Sequence, residues 1–202
     1  MAGVIHLKKG SGINLSKDHG LRRVKVELTF DVDPSQHHKA HEFDVNVCGI
    51  EVSHKTGQPL APQPECFCFY NNADSATGAM HHEADGGSIG DDVMTIDLGV
   101  LEGNALGIDE VAIFAEIYEN TINGHHFGEL SHCTLHLVNP DTGEEFARYQ
   151  LDKEDSNAGA FQVGSLTRDA DGHFHFHAVA VGFNKGLEDI LEKYGLHADD
   201  QE

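Results

Sequence analysis

The chain of 202 residues is long enough for one substantial core and its 39% hydrophobic content can fill one, yet no apolar run approaches the roughly 20 residues of a spanning helix. Acidic residues number 34 against 13 basic ones, a formal net charge of −21. Such a surface repels phosphate backbones, anionic lipids and oxyanions, so neither a nucleic-acid partner nor membrane insertion is expected, and it repels itself unless some carboxylates converge on bound cations.

Residues 1–10 lack the apolar stretch and small-residue cleavage site of a secretory signal, which points to the cytoplasm. Val24, Val26, Leu28 and Phe30 then share one face of the first clear period-two strand, with Asp31 and Asp33 at its end. Phe43, Val45 and Val47 share a face of the next. Cys66 and Cys68 alternate with Phe67 and Phe69, so on a strand both sulfurs face one side and both rings the other. With Cys48 and Cys133 they form neither a CxxC pair nor a zinc knuckle and read as reduced core thiols.

Val111, Ile113, Ala115 and Ile117 continue the pattern, followed by 134–138, 145–151, 160–166 and 173–181. Turn chemistry separates them, as in Asn139-Pro140-Asp141-Thr142-Gly143 and Asp169-Ala170-Asp171-Gly172. Leu187, Ile190, Leu191 and Tyr194 fall at helical spacing, with Gly195 placed to end that helix. Residues 34–41 and 71–90 read as long irregular loops. Strands without intervening helices predict a mainly β chain folded as a sandwich, one domain over 1–202 with 197–202 as a frayed tail.

Two segments carry chemistry. Glu42, Asp44 and Asn46 occupy alternate positions, so on a strand their oxygens project from one face, and a hard cation seeking six to eight oxygen ligands would satisfy them. In 85–92, Asp85-Gly86-Gly87-Ser88-Ile89-Gly90-Asp91-Asp92, glycines let the backbone turn its carbonyls inward and aspartates add charge. Asp31, Asp33 and Glu119 are further oxygen donors that could converge from strand ends. The ligand spacing of an EF-hand is absent.

The order of several motifs is similar to the TerD-type tellurium-resistance and general stress proteins of bacteria. They include Gly12-Ile13-Asn14-Leu15-Ser16-Lys17, Phe43-Asp44-Val45-Asn46, Phe69-Tyr70-Asn71-Asn72 and Gly90-Asp91-Asp92. Phe127-Gly128, Val138-Asn139-Pro140-Asp141-Thr142-Gly143-Glu144-Glu145 and Ala147-Arg148-Tyr149 follow, then the C-terminal helix. The resemblance implies a β-sandwich of two antiparallel sheets with a C-terminal helix and long metal-binding loops. It implies calcium at adjacent sites built from the D-x-D strand and the glycine-aspartate loop, no catalytic activity, and a stress-response role with another, membrane-associated protein as partner. The expected ligands are Asp44, Asn46, Asp85, Asp91 and Asp92, then Asp31, with Glu42, Asn71, Asn72 and Glu119 in support. Where the family pattern has D-x-D-x-D this chain has Glu42, Asp44 and Asn46, and its glycine-aspartate loop is shorter, which lowers the ligand charge.

Sixteen histidines open a rival reading, a Zn²⁺ or Ni²⁺ site, because imidazole suits those ions better than calcium. The pairs His37-His38, His81-His82 and His125-His126, with His41, lie in or near the loops, and His173, His175 and His177 would share one strand face. The alternative is that they line a solvated face or hydrogen-bond to neighbouring acids. No phosphate loop, nucleophile elbow or zinc-hydrolase motif appears, and Cys133 and His132, adjacent on a strand, point to opposite faces, so no enzyme is expected.

Overall fold

A computed structural model describes residues 3–36, 43–84, 87, 92–151 and 157–197. The strands are β1 (Ile5–Leu7), β2 (Gly12–Asn14), β3 (Arg23–Val32), β4 (Val45–Val52), β5 (Phe67–Cys68), β6 (Met80–Ala84) and β7 (Asp92–Asp97). They continue as β8 (Glu110–Ile117), β9 (Leu130–Val138), β10 (Glu145–Gln150), β11 (Ala160–Arg168) and β12 (Phe174–Phe183). Two six-stranded sheets result, in the orders β1-β10-β9-β3-β7-β6 and β2-β12-β11-β8-β4-β5. The sandwich is as expected, with one difference: β1 lies parallel to β10, so the first sheet is mixed at its edge.

Period two explains the core. Val24, Val26 and Leu28 of β3 and Val111, Ile113, Ala115 and Ile117 of β8 point into one apolar cluster between the sheets. The opposite face of β8 is buried too. Ala112 and Phe114 join Cys48, Ile50, Val52, Phe67 and Phe69 in a second cluster, covered by Ile190, Leu191 and Tyr194. Ile190 and Leu191 come from the helix Leu187–Lys193 and Tyr194 caps it, before the chain turns at Gly195 in the left-handed conformation (φ 74°). The second sheet is therefore a middle layer between the first sheet and this helix. Cys66 and Cys68 face the inner cluster while Phe67 and Phe69 face the outer one, as their alternation predicts.

Sequence periodicity predicts one helix, and the described residues hold four α-helices, all short: α1 (Leu15–His19), α2 (Leu98–Glu102), α3 (Asn120–Asn123) and α4 (Leu187–Lys193). The first three span five residues or fewer, too few for a helical stripe to show. A second correction concerns 71–90. Its middle is β6, paired antiparallel with β7, with Met80 and His82 on the buried face. At this end the layers come close: a Cβ built on Gly49 would stand 2.8 Å from Met94 Sδ and 2.9 Å from Met80 Sδ. Glycine at that position lets β4 approach β6 and β7 of the facing sheet.

Candidate functional site

β5 is only two residues long and pairs with Gly49 and Ile50, so among the described residues β4 has no paired strand on that side before Gly49. Asp92, the first residue of β7 in the opposite sheet, fills the gap. One of its carboxylate oxygens accepts the Val47 N–H, and the other lies 2.9 Å from Nε2 of the buried His82, an ion-pair contact without hydrogen-bond geometry. Charge from the first sheet thus reaches the edge of the second.

On the outer face of β4, Asn46 stands opposite Glu116 of β8 and donates from Nδ2 to Glu116 Oε1 at 3.4 Å. Asp44, just before the strand, accepts the Tyr118 N–H on its carbonyl at 3.1 Å, which aligns the entry of β4 with the exit of β8. Glu116 is 5% exposed. Burial pushes its pKa up from 4.5 to about 7, with the charges of Asp44 and Asp92 adding and the Asn46 bond opposing. Burial, then Glu116 and Asp92, holds the Cys48 thiol well above its ordinary range, and burial followed by Glu116 raises Tyr70 to about 12. Three carboxylates from both sheets therefore feel one another across a small, partly buried space.

The structure brings together Asp44, Asn46 and Asp92 of the expected ligands. The strand starts at Val45, so Asp44 stands at its entry. Asp31 is elsewhere, largely exposed on β3, with His132 Nδ1 3.3 Å from its carboxylate. Asn72 is committed to the turn after β5, where Nδ2 donates to the carbonyls of Phe67 (2.6 Å) and Glu65 (3.4 Å), and Asn71 is exposed in the same turn. Glu119 is exposed and holds φ 51°, the one left-handed non-glycine residue among those described. Glu42, Asp85 and Asp91 lie outside the described residues. Among the described residues no group of three or more His, Cys, Asp and Glu side chains assembles to hold a metal ion.

Glu116 escapes the sequence reading, and His82 enters it only as half of the His81-His82 pair, not as a buried neighbour of Asp92. A signal for Glu116 existed, since it is the lone acid inside Val111-Ala112-Ile113-Phe114-Ala115-Glu116-Ile117, a run apolar on both faces. His82 carries none, because an imidazole buried against a carboxylate looks the same in sequence as its exposed neighbour His81.

Most described histidines pair with acids. His54, His81, His82, His125, His132, His136 and His175 each have a ring nitrogen within 3.3 Å of a carboxylate oxygen. His81 and His82 point to opposite sides of β6, and His173 precedes β12 while His175 and His177 stack at 6.1 Å between centroids. His37, His38 and His41 lie outside the described residues. The four cysteines are free and buried, and burial pushes the Cys66 and Cys68 thiols up to about 12. No helix among the described residues is long and apolar enough to cross a membrane.

Taken together, these features define a two-sheet β-sandwich with a carboxylate cluster bridging the sheets at one edge. The chain belongs to the TerD family: the TerD domain matches residues 3–194. It is 30% identical to general stress protein 16U of Bacillus subtilis (strain 168), over 95% of this chain and 97% of that protein. It is 29% identical to the tellurium resistance protein TerD of Alcaligenes sp, over 96% of this chain and 98% of that one. The crystal structure of a homologue of telluride resistance protein (TerD) from Streptomyces coelicolor A3(2) superposes with a TM-score of 0.60 at 18% identity, covering 87% of this chain and 96% of that one. At that identity the likeness speaks for the fold.

Proposed function

We propose that this TerD-family protein is a non-catalytic stress-response protein of the cytoplasm, in which a calcium ion orders the edge where the two sheets meet. The observation that carries the proposal is the convergence of Asp44, Asp92 and Glu116 at one edge, where burial first and the two neighbouring charges after it raise the Glu116 pKa to about 7. The donors there are oxygens, from three carboxylates and the Asn46 amide, the set a hard cation prefers. Asp85, Asp91 and Glu42 are the ligands proposed to complete the shell. A bound ion would supply the positive charge that this edge lacks, and its binding free energy would become folding stability.

A non-catalytic role fits the chemistry of the nucleophiles. All four thiols are buried, and those of Cys48, Cys66 and Cys68 are held far from thiolate character. The names of the relatives support a stress or tellurium-resistance role; that it is exercised with another stress-response protein as partner is part of the proposal.

Titration of metal-free protein with Ca²⁺, Mg²⁺, Zn²⁺ and Ni²⁺ by calorimetry and thermal melting tests the metal. Calcium is expected to raise the melting temperature, by about 2.7 kcal/mol of stability at a hundredfold excess over Kd, and Asp92→Asn to remove the effect. Calcium without heat or thermal shift sinks the proposal. Zn²⁺ or Ni²⁺ binding that disappears in a His81→Ala/His82→Ala variant would move the function to the histidines.

A further inference from the structure

Beside the carboxylate cluster the surface is apolar. Tyr70 and Tyr118 are 40% and 41% exposed, and Ile122, in the helix after Tyr118, is 77% exposed. The two tyrosine rings meet edge to face, 5.6 Å apart at 80°. Behind them Phe69 packs edge-on to Tyr70 at 5.0 Å and stacks on the buried Phe67 at 4.4 Å, so an aromatic column anchored in the core fixes the pair. Rings held open to solvent in this way present π-faces that attract a cation.

Among the described residues, the charged groups that act on the two phenols are acidic. The carboxylate of Glu119 accepts from the Tyr118 phenol, and the fields of Glu116 and Asp44 also reach it, raising its pKa with Glu119 as the largest cause. Glu116 and Glu119 act on Tyr70 as well. Glu119 holds its place in a left-handed backbone conformation that costs a non-glycine residue free energy.

We propose that Tyr70, Tyr118 and Ile122, with the exposed carboxylate of Glu119, form a docking site for an arginine-bearing basic segment of a partner protein. A guanidinium can stack on one ring while its N–H fork pairs with a carboxylate, which an ammonium does less well. A small cation would leave Ile122 uncovered, whereas a segment with an apolar residue beside its arginine covers both. The net charge of −21 steers such a segment in and opposes a second copy of this chain. The site needs no metal, so its test is independent of the calcium proposal.

Fluorescence anisotropy with a labelled Gly-Arg-Leu-Arg-Gly peptide, in EDTA at about 0.15 M salt, tests it, with Gly-Glu-Leu-Glu-Gly as control. The arginine peptide is expected to bind and the glutamate peptide not to. Tyr118→Ala, which leaves the net charge unchanged, should weaken binding about fivefold while Tyr118→Phe retains it. Glu119→Asn should weaken it similarly, and asparagine tolerates the left-handed backbone, so a loss is not misfolding. Glu144→Gln, at the exposed turn between β9 and β10, should change nothing. Parent-like binding by Tyr118→Ala and Glu119→Asn overturns the proposal, and so does an equal loss in Glu144→Gln, which would mean bulk charge attraction. Self-association in sedimentation that Glu119→Asn abolishes would also overturn it, in favour of a second copy.

Discussion

Strand β4 carries two polar regions that differ in how their charge is met. Towards its end, Glu51 points into the sandwich and is fully buried, yet it accepts from Ser75 Oγ at 2.6 Å, from the Thr77 N–H at 3.2 Å and from the Thr77 hydroxyl. Ser75 Oγ in turn accepts the Met80 N–H at 2.9 Å, so one carboxylate clasps the whole 75–80 loop. Towards its start, Asn46 offers Glu116 a single 3.4 Å bond while Asp44 and Asp92 add like charge. Burial is common to both carboxylates. The difference teaches that matched donors let a buried acid serve as a structural clasp, whereas burial beside like charge with a single long bond raises its pKa.

The largest test of that contrast is Glu51→Ala. It strands two hydroxyls and an N–H in the interior and should cost about 3–4 kcal/mol in urea unfolding, with calcium binding per molecule of folded protein unchanged.

The next concerns pH. The Glu116 pKa lies near 7 when folded against an ordinary 4.5, so between those values the folded state keeps a proton that the unfolded chain has lost. In metal-free protein its contribution is greatest below about pH 4.5 and is lost as pH rises through 7, a fall of about 2–3 kcal/mol relative to Glu116→Gln. Denaturation in EDTA at pH 5 and 7.5 measures it. Parallel stability curves for parent and variant would show that burial and the neighbouring charges do not raise Glu116.

Gly49→Ala should cost about 1–2 kcal/mol, because Met80 and Met94 must give way, and should weaken calcium by moving Asp92 from β4. The smallest expected change is a gain: Glu119→Gly relieves the left-handed backbone and should add at most about 1 kcal/mol in the same unfolding experiment.

Much of the scaffold is legible in the sequence because one-sided burial writes itself in alternation, as in β3 with Val24, Val26 and Leu28. β6 and β7 are not. Met80-His81-His82-Glu83-Ala84 buries a methionine and a histidine, and β7 buries the consecutive Val93 and Met94, so neither shows the polar-apolar rhythm. Asp44, Asn46 and Asp92 were legible as oxygen-rich positions in family-like motifs, and the structure brings them to one edge. Asn72 looked equally oxygen-rich, yet its amide is used by the backbone of its own turn, a distinction only three-dimensional neighbours reveal. Glu116 was hidden by register, since its importance comes from lying opposite Asn46 across the β4–β8 ladder.

The bond from Val47 to Asp92 has one more consequence. A bare strand margin is a template on which the same margin of another molecule can add, extending a ladder from copy to copy into aggregates. By occupying the Val47 donor with a charged group from across the sandwich, the chain makes that addition costly at the stretch of β4 that β5 is too short to cover.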